Sequence, residues 1–598
     1  MNAEKNTHII FICPPDFSQT AVYLPEGTLL FLANIVRKNG YSFDIITFDH
    51  INDPIKLFNK ILSELDELVF HRLNHLNNVI LGMSCFSSYL YTSTMLIGAY
   101  LRHNFPNIPI IVGGYHPTLF PNSLIECIGT DIPTEVSKSQ IISIDFLFNI
   151  TENIKARGDH VFDYVFKGRS EKSLVEILNH LRSNYFRPME PVIVHQKAYD
   201  NEEVFQFRYK ESVFDELLVQ GSASRTIQIM FSLGCPFDCN FCVQSSNLRF
   251  RWQGMDPFHA IEVIELLFKK YKIKKFLLWD SCFAADKRWR ENFFRELARK
   301  NWVDAIHVIF ETNVLLFDLD DFSILKKFNL HIYLGLESCS PTMLQLMNKT
   351  RNPQKYLTKF EKLINDLTLN LSPHSLIHLN MLVGYPGETK ETLKETFEFL
   401  INDCKVYEKE VKVWLRLELF FPVAQTKIVE LTPEYSKQFG YESAPLDWWR
   451  KHLTDQSFRY KGKPSKDLSW EYCYEFRHFF FTLLPRFSSS DREDLSRWLS
   501  HPLIRIQQIT TNFEEKADAI LNKLKRHILP QTSYVNEAIF EQYAQDYSSK
   551  RLGEITQYGS LTTWEPSIEE IAFKLKDKEL FKKPIKTSVG YAIIQRIE

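Results

Sequence analysis

Cysteine is scarce in this chain, at ten of 598 residues, and the ten are too scattered for a disulfide-held secreted scaffold. No basic tract stands out and the formal net charge is −2, so there is no electrostatic footprint for nucleic acid. Apolar runs are short; Phe479 to Leu484 is among the longest and could not span a bilayer. Met1 to Thr7 is polar, leads straight into an apolar strand-like run, and has the pattern of neither a signal nor a transit peptide. These absences predict a cytoplasmic, reducing location with no nucleic-acid and no membrane partner. The chain is also too long for one core, so two to four domains are expected. What it has in excess is phenylalanine, 48 residues, which suits large apolar interfaces or a roomy cofactor pocket.

Three of the few cysteines stand together, in Gly234-Cys235-Pro236-Phe237-Asp238-Cys239-Asn240-Phe241-Cys242. Three thiolates on one short loop suit a cubane iron–sulfur cluster with one iron left unligated by protein. A structural zinc site would want a fourth Cys or His at similar spacing, and none lies nearby in sequence. The open iron can take a small-molecule ligand and pass it an electron. The run resembles the signature of the radical S-adenosylmethionine (SAM) enzymes, down to the aromatic residue before the last cysteine. That resemblance makes Cys235, Cys239 and Cys242 the metal-binding, catalytic residues.

The N-terminal third alternates strands and helices. Strand-like runs fall at His8–Cys13, Tyr41–Phe48, Asn78–Ser84 and Ile108–Val112, with helical periods at Leu29–Val36, Ile55–Leu68 and Tyr91–His103. This rhythm predicts a doubly wound parallel sheet of the Rossmann or flavodoxin kind, with ligands at the carboxyl ends of its strands. The loops there are Cys13-Pro14-Pro15 with Pro25-Glu26-Gly27, Ser84 to Ser88, Gly113-Gly114-Tyr115-His116-Pro117-Thr118, and Gly168-Arg169-Ser170-Glu171. In that order they resemble the cobalamin-binding domain ahead of many radical SAM domains. The resemblance implies cofactor contacts from Pro14, Pro15, Ser84, Ser87, Ser88, Gly113, Gly114, His116, Gly168 and Glu171. Glycines at 113 and 114 would let backbone approach a large flat macrocycle. The Asp-x-His-x-x-Gly motif that supplies a lower imidazole in other cobalamin proteins is absent, since Asp49 and His50 are adjacent and Asp53 stands where the glycine should be. Cobalamin is therefore expected without a histidine on cobalt, with His50 an ordinary surface residue and His116 shaping its loop. The Gly168-Arg169-Ser170-Glu171 loop departs from the family, which usually has an acidic residue directly after the glycine. A stretch from about Thr130 to Gly158 looks inserted.

Further strand-like runs at Thr226–Phe231, Lys275–Trp279, Ala305–Glu311, His331–Leu336, His378–Val383 and Val413–Phe420 are mostly separated by helices such as Pro257–Tyr271 and Lys390–Asn402. About six β/α units predict the partial barrel of radical SAM enzymes, with chemistry at the strand C-termini. Three segments there are similar to that family's SAM-binding turns: Trp279-Asp280-Ser281, Leu334-Gly335-Leu336-Glu337-Ser338 and Gly384-Tyr385-Pro386-Gly387-Glu388-Thr389. They imply SAM contacts from Asp280, Glu337, Ser338 and Gly384. Cys13, Cys85, Cys282 and Cys339 read as small buried hydrophobes. From about Thr432 the rhythm stops, and the remainder reads as mostly α with a strand-like tail from Thr587 to Ile597. Trp448, Trp449 and Tyr460 are expected substrate contacts.

The sequence is thus read as α/β, with residues 1–200 a cobalamin-binding domain and linker, 201–430 a radical SAM domain of (β/α)6 type, and 431–598 a substrate-specifying domain. The resemblance implies a [4Fe–4S] cluster, SAM and cobalamin as cofactors. It also implies an electron donor such as flavodoxin or ferredoxin, and a small-molecule or peptide substrate. The activity it implies is methyl transfer from methylcobalamin to an unactivated carbon or a phosphinate through a 5′-deoxyadenosyl radical. The alternative is a rearrangement, ring contraction or cyclisation with the same cofactors. Methylthiotransferases carry a second three-cysteine site in the N-terminal domain, which the spacing of Cys13, Cys85 and Cys127 does not match.

Overall fold

The computed structural model describes residues 7–14, 26–46, 54–76, 78–126, 153–197, 209–218, 226–245, 252–406, 409, 411–451, 461–483, 504–528, 534–547, 556–559 and, with short interruptions, 568–596. It divides into two compact units, the first made mainly of residues 1–388 and 420–465, the second mainly of 466–598.

The first unit contains two six-stranded sheets. In the N-terminal one, β1 (Thr7–Ile12), β2 (Ser42–Ile46), β3 (Asn78–Ser84), β4 (Ile110–Gly113), β5 (Tyr164–Lys167) and β6 (Val192–His195) run in the order β2-β1-β3-β4-β5-β6. All its pairings are parallel. Every residue of β1 and β3 is buried, as strands covered by helices on both faces must be. A buried network ties the far strands together: Asp163 accepts from Arg102 at 2.6 Å, from the backbone N–H of Ile110 at 2.6 Å and from Arg187 at 2.8 Å.

After β7 (Thr226–Ile229) comes a short antiparallel pair, β8 (Ser232–Leu233) with β9 (Gln253–Gly254). Then follow β10 (Lys275–Leu278), β11 (His307–Asn313), β12 (Asn329–Glu337), β13 (Leu376–Val383) and β14 (Lys412–Leu419). The second sheet runs β14-β13-β12-β11-β10-β7, the sequential order of an open barrel. Its strands alternate: Leu330, Ile332 and Leu334 of β12 are buried, while His331, Tyr333 and Gly335 are only half-buried. Apolar residues thus fill the core side, and the other side is polar and partly accessible. The helix Pro257–Tyr271 starts where its sequence says it should. Asp256 caps it, accepting from Phe258 N and His259 N, and Pro257 occupies the first turn.

The second unit adds a sheet to the helices expected for the C-terminal region. It holds the helices Trp470–Leu483, Glu514–Leu524 and Glu537–Tyr547, but also a sheet of β15 (Ile504–Thr511), β16 (Thr556–Gly559), β17 (Glu579–Leu580), β18 (Ile585–Thr587) and β19 (Gly590–Arg596). The sheet is antiparallel throughout. β15 was hidden because its fully buried apolar residues, Ile506 and Ile509, are spaced as on a helix and flanked by glutamine and threonine. The strand-like tail is β18 and β19.

Candidate functional site

The cysteine loop leaves β7 through Met230 and turns at Gly234, whose φ of 84° is left-handed. Its shape is fixed from outside. Asn240 donates its backbone N–H to Met347 O at 3.0 Å and its side-chain amide to Leu346 O at 2.9 Å. Asn348 donates to Asp238 O at 2.6 Å, and Lys427 pairs with the Asp238 carboxylate. From below, Asp280 Oδ1 accepts from Phe231 N at 2.8 Å and Ser232 N at 2.7 Å. Burial pushes the Asp280 carboxyl up to about 7, against those backbone donors. Its contacts are those of a residue that sets the loop entry.

Cys239 is buried and Cys235 and Cys242 are half-buried. A hydrogen bond with Cys282 holds the Cys235 thiol down to about 7, and burial pushes Cys242 up to about 12. Beside them lies Lys349, a residue sequence reasoning missed. It is buried and its Nζ is 3.0 Å from Glu337 Oε1. Burial works against its charge, but Glu337, Tyr356 and Cys239 around it raise its pKa. Glu337 ends β12 with φ of 69°, at a register slip against β13. A Cβ at Gly335 would come within 2.9 Å of Glu337 Oε1 and 3.1 Å of Lys349 Nζ, so a side chain there would push on this pair. No short-range signal marks Lys349; it stands in an ordinary Asn348-Lys349-Thr350 turn. Ser338 takes part in a clasp, its Oγ 2.9 Å from Thr396 Oγ1 and accepting from Ser340 N at 3.1 Å. Gly384, at φ of 83°, donates its N–H to the buried carboxylate of Glu388 at 2.5 Å.

The polar side of the barrel sheet carries a row the sequence reading passed over. Tyr333 and His378 stack with centroids 4.2 Å apart and planes 6° off parallel, and the Arg416 guanidinium lies 5.7 Å from the Tyr333 ring centre. Glu311 stands exposed on the neighbouring strand, opposite Tyr333 in the ladder. Burial holds His378 down to about 4, so it is neutral. Polar residues two apart, His331 and Tyr333 on β12 and His378 and Asn380 on β13, were the readable signal.

A cavity with about 1370 Å³ of non-atom space, part of it open to solvent, lies at the carboxyl ends of β1 and β3 to β5. Of the residues expected to contact a macrocycle, Ser84, Gly113, Gly114, Gly168 and Glu171 line it. Met230, Leu233, Gly234, Gln244, Trp279 and Ser281, from the barrel's first two strand ends, also line it. Gly114 has φ of 123°, and a Cβ there would sit 2.3 Å from Cys85 O; Gly168 has φ of 82° and faces Gln196 as closely as 2.5 Å. A Cβ at Gly113 would touch only Phe166, at 3.7 Å. Glu171, 7 % exposed, binds Arg169 through Oε1 at 2.8 Å and leaves buried Oε2 without a hydrogen-bond partner. Tyr115 reaches from the cavity to the cysteine loop, where the Gln244 amide donates to its hydroxyl.

Ser87, Ser88, His116 and Pro14 are not among the lining residues. Ser87 O accepts from Leu90 N at 3.1 Å, closing the turn into the third helix. His116 is fully buried, 2.9 Å from both Ser88 Oγ and Ser123 Oγ, and burial pushes it down to about 3. Its position is that of a neutral, loop-shaping residue. Among the described residues no histidine lines the cavity. Trp448 and Trp449, expected at a substrate, are instead buried in the N-terminal sheet's core, with Trp449 5.0 Å from the His116 ring and 4.4 Å from that of Tyr91. Their apolar bulk was misread as a recognition surface. Pro15, His50, Tyr460 and most of the 130–158 stretch lie outside the described residues.

Among the described residues no helix is long and apolar enough to cross a membrane. Residues 229–400 match the radical SAM superfamily, and residues 501–598 match the PPIC-type PPIase (rotamase) domain. An uncharacterised methyltransferase of Pyrococcus horikoshii is 22% identical over 412 residues, covering 66% of this chain and 78% of its own. The anaerobic magnesium-protoporphyrin IX monomethyl ester cyclase of Rubrivivax gelatinosus is 28% identical over 173 residues, 28% of this chain and 29% of that protein. The structure of TsrM from Kitasatospora setae, a radical SAM methyltransferase solved with tryptophan substrate and a SAM analogue, is similar in fold. It matches with a TM-score of 0.51 at 15% identity, over 73% of this chain and 77% of that one.

Proposed function

We propose that the chain is a radical SAM enzyme that depends on cobalamin and transfers a methyl group to an unactivated carbon or a phosphinate. The observation that carries this is the cavity at the N-terminal strand ends, walled on one side by glycines and on the other by the cysteine loop's own Gly234 and Gln244. In this reading residues 1–200 hold cobalamin and 201–430 hold cluster and SAM. When bound, these groups supply one-electron chemistry that removes an unreactive hydrogen and a carrier that donates methyl.

The side chains do the rest. Cys235, Cys239 and Cys242 would hold the cluster, and the Lys349 cation beside them would offset the charge of three thiolates. Glu337 would meet SAM, oriented by its 3.0 Å pair with Lys349. Asp280 would act on SAM through the loop entry it fixes, and Ser338 and Gly384 through the clasp and turn they form. Gly113, Gly114 and Gly168 would let backbone approach the macrocycle, and Ser84 and Glu171 Oε2 would accept or donate at its polar edge. No histidine is among the described lining residues, in keeping with a cobalamin held without an imidazole from the protein. Tyr333, His378, Glu311 and Arg416 would position the substrate on the polar side of the barrel sheet.

The rotamase-type match at 501–598 favours a proline-containing peptide as substrate over a small metabolite. The likeness to the ester cyclase favours one second reading, ring formation or rearrangement with the same cofactors. Turnover of reconstituted enzyme with methyl-deuterated SAM on a panel of proline-containing peptides, read by mass spectrometry, separates them. Methyl transfer predicts a labelled methyl on product, with S-adenosylhomocysteine and 5′-deoxyadenosine in a ratio near one to one. Altered product with 5′-deoxyadenosine and no added methyl means rearrangement. Product from small metabolites alone removes the peptide reading.

A further inference from the structure

Residues 420–426 connect β14 to the helix Lys427–Phe439. Within this connection Gln425 holds φ of 62°. A non-glycine residue in the left-handed region persists only where its surroundings over-determine it. Here the Gln425 side-chain amide donates to Leu119 O at 2.9 Å and to Thr118 O at 3.3 Å, 306 and 307 residues away in sequence. Those carbonyls end the short helix Tyr115–Leu119, and the last carbonyls of a helix lack intrahelical partners. An amide has two N–H donors, one for each.

What the amide holds is cavity wall. Thr118 lines the cavity, and its hydroxyl donates to Gly114 O at 2.7 Å and accepts from Gly168 N at 3.0 Å. It thus pins two turns whose glycines have positive φ against each other. Gln425 is not among the lining residues, so it acts on the cavity through Thr118 and Leu119. The residues just after it hold the thiol loop. Lys427 pairs with Asp238, and Ile428 donates its N–H to Asn240 O at 3.1 Å. Phe421, in the same connection, packs edge-on to Tyr89 and Trp448, an anchor that does not depend on the amide.

We propose that Gln425 is a positioning residue that couples the two cofactor sites. A bound cluster orders the thiol loop, which fixes residues 427 and 428, the Gln425 amide beside them, and through it the glycine wall that meets cobalamin. This rests on the reading of the cavity as the cobalamin site and of Cys235, Cys239 and Cys242 as cluster ligands. Coupling between equilibrium binding sites is reciprocal, so bound cobalamin favours the cluster-bearing loop by the same factor.

The test uses the full chain as wild type, Gln425→Gly and Gln425→Lys. The dissociation constant for hydroxocobalamin is measured anaerobically by equilibrium dialysis, in protein reconstituted with iron and sulfide and in protein left without them. Wild type is expected to bind cobalamin about fivefold tighter or more when the cluster is present, the low end of coupling between sites. Gln425→Gly removes the amide and relieves the left-handed backbone, so its iron content and its cluster-free melting are expected to match wild type. Its cluster-dependent gain in cobalamin affinity is expected to fall to nearly nothing. Gln425→Lys keeps a donor on a chain of similar length and is expected to return most of the gain. An undiminished gain in Gln425→Gly overturns the proposal, as does the absence of any gain in wild type. So does a loss of affinity by the same factor with and without cluster, which would make Gln425 a tie in the fold alone. Failure of the underlying reading looks different: wild type itself would take up no iron, or would bind no cobalamin in either state.

Discussion

The loops after β3, β4 and β5 present Ser84, Gly113, Gly114 and Gly168 to a cavity, whereas those after β7, β10 and β12 present Cys235, Asp280 and Glu337. Both sets stand at the carboxyl ends of parallel strands in six-stranded sheets. In the proposed reading the first would recognise by shape. Its polar groups are few, and its character comes from backbone held where a side chain would collide. The second would recognise by charge. Its thiols, carboxylates and buried lysine are costly to bury singly and are tolerable only together. The N-terminal site should therefore be sensitive to added atoms and the barrel site to removed charge.

The largest expected effect is also the cleanest separation. Replacing Cys235, Cys239 and Cys242 by alanine should remove essentially all iron from reconstituted protein, while equilibrium dialysis still finds cobalamin bound. Loss of both together would mean that the two sites are one. Next comes Lys349→Met, which leaves Glu337 as a buried carboxylate without its cation. Breaking such a pair costs about 3–5 kcal/mol, measurable by denaturant unfolding of cluster-free protein. The double variant with Glu337→Gln should recover part of that loss.

Gly114→Val tests the shape-based side. Its left-handed φ alone costs about 1–3 kcal/mol, and a Cβ would be driven onto Cys85 O. Cobalamin binding should weaken by at least about tenfold, the equivalent of roughly 1.4 kcal/mol, with iron content unchanged.

How far this division could be read in advance differed between the sites. Strand–helix alternation and the cysteine spacing are local patterns, and both sheets and the thiol loop follow from them. The glycine loops were legible for the same reason: Gly114 and Gly168 are needed where they stand. Lys349 was not, because its importance arises only when β12 and the turn after residue 346 meet. Trp448 and Trp449 show the converse, since exposure to a substrate and burial in a core ask for the same residue type. β15 was lost because its apolar spacing mimics a helix.

A smaller effect concerns Glu388, the buried acid that accepts from Gly384 N at 2.5 Å. Burial raises its pKa from 4.5 to about 8. The folded chain therefore holds this proton where the unfolded chain has released it, so stability is greatest below the unfolded value and falls as pH rises toward 8. At about 1.36 kcal/mol per unit, the loss between about pH 6 and pH 7.5 is roughly 2 kcal/mol. Glu388→Gln should flatten that slope, as followed by chemical unfolding at each pH; an equal slope in both proteins would assign it elsewhere. The smallest effect is expected at Tyr115, which joins the cavity to the cysteine loop through Gln244. Tyr115→Phe removes one hydrogen bond of about 1 kcal/mol. By linkage, any cluster-dependent gain in cobalamin affinity should shrink in that variant.

The most direct test of the account is the cofactor content of one preparation. Anaerobically reconstituted full-length protein, purified with cobalamin, should carry about four irons and one cobalamin per chain. The electron paramagnetic resonance of its cob(II)alamin state should lack nitrogen splitting from a lower ligand. A chain that fills with iron but excludes cobalamin, or one whose cobalt shows strong nitrogen coupling, would contradict it.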